Sequence, residues 1–322
     1  MDIADPSLSV VVPVYNERES LTPLHARLVQ VLAERDHEIL FVDDGSRDGS
    51  SQVLENILAG DPHVRVIRFG RNFGKAAALS AGLREARGDV VITMDADLQD
   101  DPAEIPRLIA ALDEGYDLVS GWKKGRQDPA SKIIPSRLFN WVTSRLTGIP
   151  LHDFNSGFKA YRRPLIEHLD LYGELHRFIP AMVHWKGFQV TEIPVVHHPR
   201  RWGKSKYGLH RFLAGFLDLT TILFLTRFRH RPLHIFGLLG LISALAGLII
   251  NIYLTYVWVL GERIGNRPLL MLGVLLMVIG IQFFSIGLLA EMVTLSSSRQ
   301  GREGPAYTVI NAPASDRNKV VR

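Results

Sequence analysis

The stretch "VVITMDADLQDDPAEI" (Val90–Ile105) decides how this chain is read. A β-branched apolar run stops abruptly, and four carboxylates follow within seven positions: Asp95, Asp97, Asp100 and Asp101. Like charges this close repel one another unless a cation, a helix start or water neutralises them. Their neighbours divide them. Asp101 precedes Pro102, with Glu104 at the third helical position, which is the pattern of an N-cap followed by proline at the first position. Asp101 is therefore expected to cap a helix, with no chemistry required. Asp95 and Asp97 follow the strand directly and face whatever binds at its end. A hard divalent cation with oxygen ligands, Mg2+ or Mn2+, is their natural neutraliser.

The same pattern, an apolar strand that ends in polar residues, occurs three times before this one. "LSVVVPVYNERESL" runs from Leu8 and stops at Pro13; Asn16 and Glu19 have capping-box spacing for the helix that follows. "HEILFVDDGSRDGS" ends in Asp43 and Asp44 and a Gly/Ser turn. "HVRVIRFGRNFGKAAALSAGLREARG" gives a strand, a turn at Arg71-Asn72 and an Ala-rich helix closed by Gly88. Strands alternating with helices predict a parallel sheet with helices on both faces, an α/β fold. In such sheets ligands bind outside the carboxyl ends of the strands. Tyr15-Asn16-Glu17, Asp43-Asp44, Arg71-Asn72 and Asp95-Ala96-Asp97 therefore converge on one edge, a stronger signal than Asp-x-Asp alone.

The composition is divided. The chain has 322 residues and a formal charge of +4, but its basic residues cluster at Lys123–Arg126, Arg200–Lys206 and Arg227–Arg231. Such patches attract phosphates or anionic lipid head groups. There is no cysteine, which removes disulfides, thiolate nucleophiles and Cys-ligated zinc. The polar start "MDIADPS" shows no cleaved signal peptide. Leu233–Leu260 and Leu269–Ala290 contain no Asp, Glu, Lys or Arg, and each exceeds the ~20 residues needed to cross a hydrocarbon core. A transmembrane hairpin is expected, with the Arg-rich segment before it and the tail after it on the cytoplasmic side. In Lys206–Phe228, His210, Arg211, Asp218 and Thr221 form one polar stripe among Leu and Phe, the pattern of a helix lying in the membrane interface. The expected organisation is a catalytic domain over 1–205, an interfacial helix region over 206–231, two spans over 232–295 and a cytoplasmic tail over 296–322.

"VVVPVYNERESL", "FVDDGSRDGS", "RNFGKAAALSAG" and "DADLQDDPAEIPRL" together resemble the family 2 inverting glycosyltransferases of the Rossmann-like GT-A fold. "DFNSGFKAYRR", "RRWGKSKY" and the hairpin make the chain similar to the branch of dolichyl-phosphate mannose synthases and polyprenyl-phosphate glycosyltransferases. This resemblance implies an enzyme that moves a hexose from a nucleotide-sugar to polyprenyl phosphate, either undecaprenyl or dolichyl, at the cytoplasmic face of a membrane. It implies that Pro13, Tyr15, Glu17, Asp43, Asp44 and Lys75 hold the nucleotide-sugar, with Asp95. A turn braced by its own Asx hydrogen bonds is the plainer reading of Asp43-Asp44. Asp95, Asp97 and Gln99 correspond to the metal and diphosphate site, with Mg2+ or Mn2+ as cofactor, and Asp97 and Asp153 to catalytic positions. A phosphate acceptor is already largely anionic at neutral pH, so Asp153 fits a general base and a positioning group equally. Lys123, Arg126, Arg137, Arg200, Ser205 and Lys206 are the expected acceptor-phosphate ligands.

UDP-glucose, UDP-GlcNAc, a modified UDP-sugar and GDP-mannose all remain as donors, with a UDP-hexose expected. A processive polysaccharide synthase is the nearest rival, but "HPRRW" has His198 where those enzymes carry Gln, and two spans are fewer than theirs. A non-catalytic nucleotide-sugar-binding scaffold is the other rival, and metal-dependent release of UDP separates it from an enzyme. Nucleic acid is not an expected partner. The strand-like run Ala306–Ile310 could add to a neighbouring subunit of a homo-oligomer.

Overall fold

Strand β1 (Leu8–Val14) alternates its side chains between two apolar layers, and that alternation organises the domain. Val10 and Val12 point into one layer and Val11 into the other; in β2 (His37–Asp43), Ile39 and Phe41 join the first and Leu40 and Val42 the second. A sheet buried on both faces needs helices on both faces. Helices α1 (Arg18–Leu32) and α4 (Ile105–Asp113) cover the first layer, and α3 (Lys75–Glu85) covers the second. The computed structural model describes residues 6–124, 130–169, 175–199, 232–263, 267–297 and 308–309.

The chain continues through α2 (Ser50–Gly60), β3 (Val64–Arg68), β4 (Val90–Thr93), β5 (Leu118–Trp122), α5 (Ala130–Thr147), β6 (Lys159–Arg162), α6 (Arg163–Ile166), α7 (Ile179–His184) and β7 (Val190–Pro194). With a last short strand, β8 (Thr308–Val309), the sheet order is β7-β5-β6-β4-β1-β2-β3-β8. β1 to β4 pair in parallel as expected. The sheet as a whole is mixed: β6 runs antiparallel to both β4 and β5, with Lys159 opposite Thr93. The reversal has a consequence for the site. Residues that precede β6 lie beside the carboxyl ends of β4 and β5, so Asp153 reaches the ligand edge from the start of a strand.

Three local expectations change. Asn16 does not cap α1; it adopts φ 54°, and its side-chain oxygen accepts the Arg47 N–H instead. The opening of α1 is held from across the edge, the Arg18 N–H by Asp48 and the Glu17 N–H by Ser50 Oγ. Helix α3 ends at Glu85, before Gly88. Gly88 instead lets the chain pass against β1, where a Cβ would lie 2.6 Å from the Ser9 backbone nitrogen. The tail strand β8 pairs with Ile67 and Arg68 of β3 in its own chain, so that pairing is made within the chain and covers the outer sheet edge.

A separate unit contains α8 (Pro232–Val259) and α9 (Pro268–Ser297). Both helices are long and apolar enough to cross a membrane. Their outward Leu, Ile, Tyr and Trp side chains are exposed, whereas a core helix of a soluble protein would bury them. Small residues let the two backbones approach, as is usual between helices in lipid. A Cβ at Gly240 would lie 2.6 Å from the Gly280 carbonyl, and Ser243 Oγ donates across to the Leu276 carbonyl. Helix α8 also satisfies its own amide side chain, since Asn251 donates to the Gly247 carbonyl.

Because Gly88 meets backbone atoms that cannot swing aside, Gly88→Ala should cost roughly 1–3 kcal/mol of stability. Thermal unfolding of the full-length protein in detergent checks this, with Gly60→Ala, in open space, as the neutral reference.

Candidate active site

The ends of β1, β2 and β4 converge as expected, the entry to β6 joins them, and the structure distinguishes the acidic residues gathered there. Asp43 is fully buried and accepts from the Ser46 N–H and Ser51 Oγ, with Arg68 Nε 3.8 Å away. It braces its own turn. Asp44 accepts the N–H groups of Phe73 and Gly74 at 2.7 and 2.9 Å and so ties the loop after β3 to the end of β2. Burial pushes its carboxyl up, with Asp43 adding to the shift and the two backbone donors opposing it. Pro13 lies within β1, Tyr15 follows it exposed at the edge, and Glu17 is half-buried at the start of α1.

The opening carboxylates are each neutralised differently. Lys75, the first residue of α3, places Nζ 2.5 Å from Asp95 Oδ1. Asp95 can lie flat against the strap before β6 because residue 157 is glycine; a Cβ there would meet Asp95 Oδ1 at 2.6 Å. Asp100 is fully buried with Lys123 Nζ 2.9 Å away and His197 Nδ1 at 3.5 Å. Burial alone would raise the Asp100 carboxyl, but Lys123 and His197 overcome it and hold the group well below the usual range. Lys123 shows the converse: burial would lower its ammonium, and Asp100, Asp95 and Asp153 together raise it. Asp101 caps the short 3-10 turn Pro102–Glu104 through the Ala103 N–H, as expected, and pairs with His198 at 2.9 Å. Asp97 differs. Burial raises its carboxyl, repulsion from Asp95 and Asp100 adds to that, and Lys123 offsets only part.

Asp153 is buried and its Oδ1 accepts the Asn155 N–H. Its charge acts on both Lys123 and Lys159. Lys159 is a site residue that sequence reasoning missed. Lodged in β6 and almost fully buried, it donates to the Ser156 carbonyl. Burial lowers its ammonium to about 7, Lys75 and Lys123 contribute in the same direction, and Asp153 and Asp95 oppose. His197 and His198, after β7, were also missed as part of the site. The His198 N–H donates to the Gln99 carbonyl at 2.7 Å, Gln99 Nε2 lies 3.3 Å from the His198 carbonyl oxygen, and Asp100 and His197 form a backbone bridge. "HHPR" is their sequence signal. Arg137 is exposed on α5. Arg126, Arg200, Ser205, Lys206 and the polar stripe His210–Thr221 lie outside the described residues.

Among the described residues no group of three His, Cys, Asp or Glu side chains is placed to hold a metal ion by itself. Asp95 and Asp97 are hard oxygen donors of the right type for Mg2+ or Mn2+. Ions of this kind commonly take one or two carboxylates and complete their shell with water and phosphate oxygens. The raised Asp97 carboxyl is the observation that fits a cation here, because a positive charge would relieve its repulsion from Asp95.

Two substitutions follow. Asp97→Asn removes a charge that burial and two neighbours disfavour, so the metal-free protein should melt at a higher temperature while losing divalent-metal affinity; scanning calorimetry and metal titration check it. Lys123→Met leaves buried Asp100 with only His197 beside it and should cost roughly 3 kcal/mol. The double variant Lys123→Met/Asp100→Asn should recover much of that in denaturant unfolding.

Residues 9–170 match Glycosyl transferase family 2. The chain is 40% identical over 310 residues to the dodecaprenyl-phosphate galacturonate synthase of Rhizobium johnstonii, covering 94% of this chain and 91% of that protein. It is 38% identical over 291 residues to the undecaprenyl-phosphate 4-deoxy-4-formamido-L-arabinose transferase of Salmonella paratyphi B, covering 89% and 88%. Among solved structures, glucosyl-3-phosphoglycerate synthase of Mycobacterium tuberculosis with Mn2+ and UDP-glucose superposes with a TM-score of 0.53. It is 21% identical, covering 69% of this chain and 79% of that one. A mannosyltransferase of Pyrobaculum calidifontis with GDP-Man and Mn2+ gives a TM-score of 0.51 at 17% identity, covering 93% and 77%. These two show the fold alone. The chain belongs to glycosyl transferase family 2.

Proposed function

We propose that this family 2 glycosyltransferase moves a sugar from a nucleotide donor, expected to be a UDP-hexose, to polyprenyl phosphate at a membrane surface, with inversion. The observation that carries the reading is the gathering of Asp95, Asp97 and Asp153 with Lys75, Lys123 and Lys159 at one sheet edge. The acceptor class rests on the two relatives, which match along most of the chain and are both named for polyprenyl-phosphate products.

In this account the loops at Pro13, Tyr15, Glu17 and Asp43-Asp44 shape the nucleotide pocket, and Lys75 keeps Asp95 in place beside it. A divalent cation held by Asp95 and Asp97, with Gln99 next to them, would supply neutralising charge to the diphosphate leaving group. The acceptor phosphate carries its own nucleophilic oxygen, since its second pKa is near 6. Asp153 therefore orients the sugar or the acceptor, and no proton need be removed. A phosphate oxygen forms the new bond to the anomeric carbon while the bond from that carbon to the nucleotide diphosphate breaks. Arg126, Arg137, Arg200, Ser205 and Lys206 would supply the charge that holds the attacking phosphate; Lys123, expected in the same role, is instead engaged with buried Asp100.

Helix α5 supports approach from a membrane. Leu138 and Trp141, each 61% exposed, stand beside Arg137, an arrangement suited to an interface of lipid and water. The chain also leaves the sheet, passes through α8 and α9 and returns to it at β8, as two spans require when both ends lie on the same side of a membrane.

Purified protein, polyprenyl phosphate, Mg2+ or Mn2+ and a panel of radiolabelled nucleotide sugars test the proposal. Label should enter the organic phase with one donor and be lost with EDTA and with Asp97→Ala. Label in a long water-soluble polymer, or bound donor with no transfer, would overturn it.

A further inference from the structure

The turn that carries Asp153 is built by a side chain from a different strand. Glu192 lies in the middle of β7, opposite Ser120 of β5, with its carboxylate only 10% exposed. Its two oxygens each lie 2.9 Å from the His152 N–H, and one also accepts the Asp153 N–H at 3.3 Å. The His152 Nδ1 closes on the same carboxylate. Three donors from two consecutive residues thus converge on one anion. The other sides of the turn are held too. Asn140, buried on α5, donates to the His152 carbonyl at 2.9 Å, and the His152 ring stacks on Trp122 at the end of β5, centroids 4.2 Å apart.

The arrangement has a physical logic. The segment between α5 and β6 must present Asp153 to the ligand edge without a regular element beneath it. A loop backbone leaves N–H groups unmatched, and buried unmatched donors are costly. A carboxylate can accept about four hydrogen bonds and is the strongest acceptor available to backbone N–H groups. Glutamine at the same place has one accepting oxygen, and its NH2 would face donors. Aspartate falls one methylene short.

We infer that Glu192 is the positioning residue for Asp153: it fixes the 152–153 peptide and thereby sets where the Asp153 carboxylate stands relative to the anomeric carbon and the acceptor phosphate. Glu192 acts through Asp153 and touches neither donor nor acceptor. The inference rests on the proposed lipid-phosphate transfer, in which Asp153 is a substrate-contacting group.

The test is a double-mutant cycle on the full-length protein in lipid vesicles, following label transfer to polyprenyl phosphate. Glu192→Gln should lower kcat about 10- to 100-fold, since a displacement near 1 Å of an active-site group can cost about that much. Donor KM and UDP affinity should stay within about twofold, because the hydrogen bonds described for Glu192 go to the 152–153 turn and not to the nucleotide loops. In an Asp153→Asn background the same substitution should change kcat by less than about twofold. Circular dichroism and UDP titration establish that each variant is folded. Independent, multiplicative losses from Glu192→Gln and Asp153→Asn would overturn the positioning role and leave the lipid-transfer reading standing. So would normal kcat in a Glu192→Gln protein that merely melts earlier. Wild-type protein that moves no sugar to lipid would instead overturn the transfer reading, and the inference with it.

Discussion

Crowded negative charge at one end of a sheet is the constraint on which the rest of this structure depends. Asp95, Asp97, Asp100 and Asp153 all approach the carboxyl ends of β4 and β5, where burial strengthens every repulsion. Three lysines from three places answer it: Lys75 at the start of α3, Lys123 directly after β5 and Lys159 in β6. The pairing is uneven. Asp100 and Lys123 neutralise each other inside the protein, whereas Asp97 keeps a carboxyl that its surroundings raise. In the proposed reaction a cation between Asp95 and Asp97 would offset the repulsion that raises the Asp97 carboxyl.

The reversal of β6 makes that arrangement possible. An all-parallel continuation would have delivered the residues before β6 to the opposite end of the sheet. Running antiparallel between β4 and β5, the strand brings Asp153, Gly157 and Lys159 to the ligand edge in one short segment. Gly157 then permits close approach of Asp95, Thr93 donates to the Gly157 carbonyl, and Glu192 pins the turn from β7. Each of these contacts spans tens of residues in sequence.

That distance explains what could be read in the chain and what could not. The strand-and-carboxylate rhythm through residue 101 is local, so β1 to β4, the converging edge, the Asp101 cap and the hairpin are legible from patterns of a few residues. Asn16 with Glu19 has the spacing of a capping box, yet the Asn16 side chain turns to Arg47 because the facing loop supplies Asp48 and Ser50 to the helix start. Lys159 and Glu192 stand in short strands where a charged side chain reads as one that faces solvent, and only tertiary burial marks them. Lys123 reads as one of a basic cluster, and its partner Asp100 as one of an acidic run; the pair exists only after β5 is placed beside the loop following β4.

The hairpin, the basic segments and the exposed Trp141 complete an account in which a cation-lined edge receives a phosphate from lipid. Its central claim is a single displacement by that phosphate at the anomeric carbon, with the protein carboxylates positioning and no covalent sugar intermediate. Proton-coupled NMR of the anomeric carbon, in the donor and in the lipid-linked product, tests it most directly. The account predicts an inverted configuration in the product, and a retained configuration would contradict it.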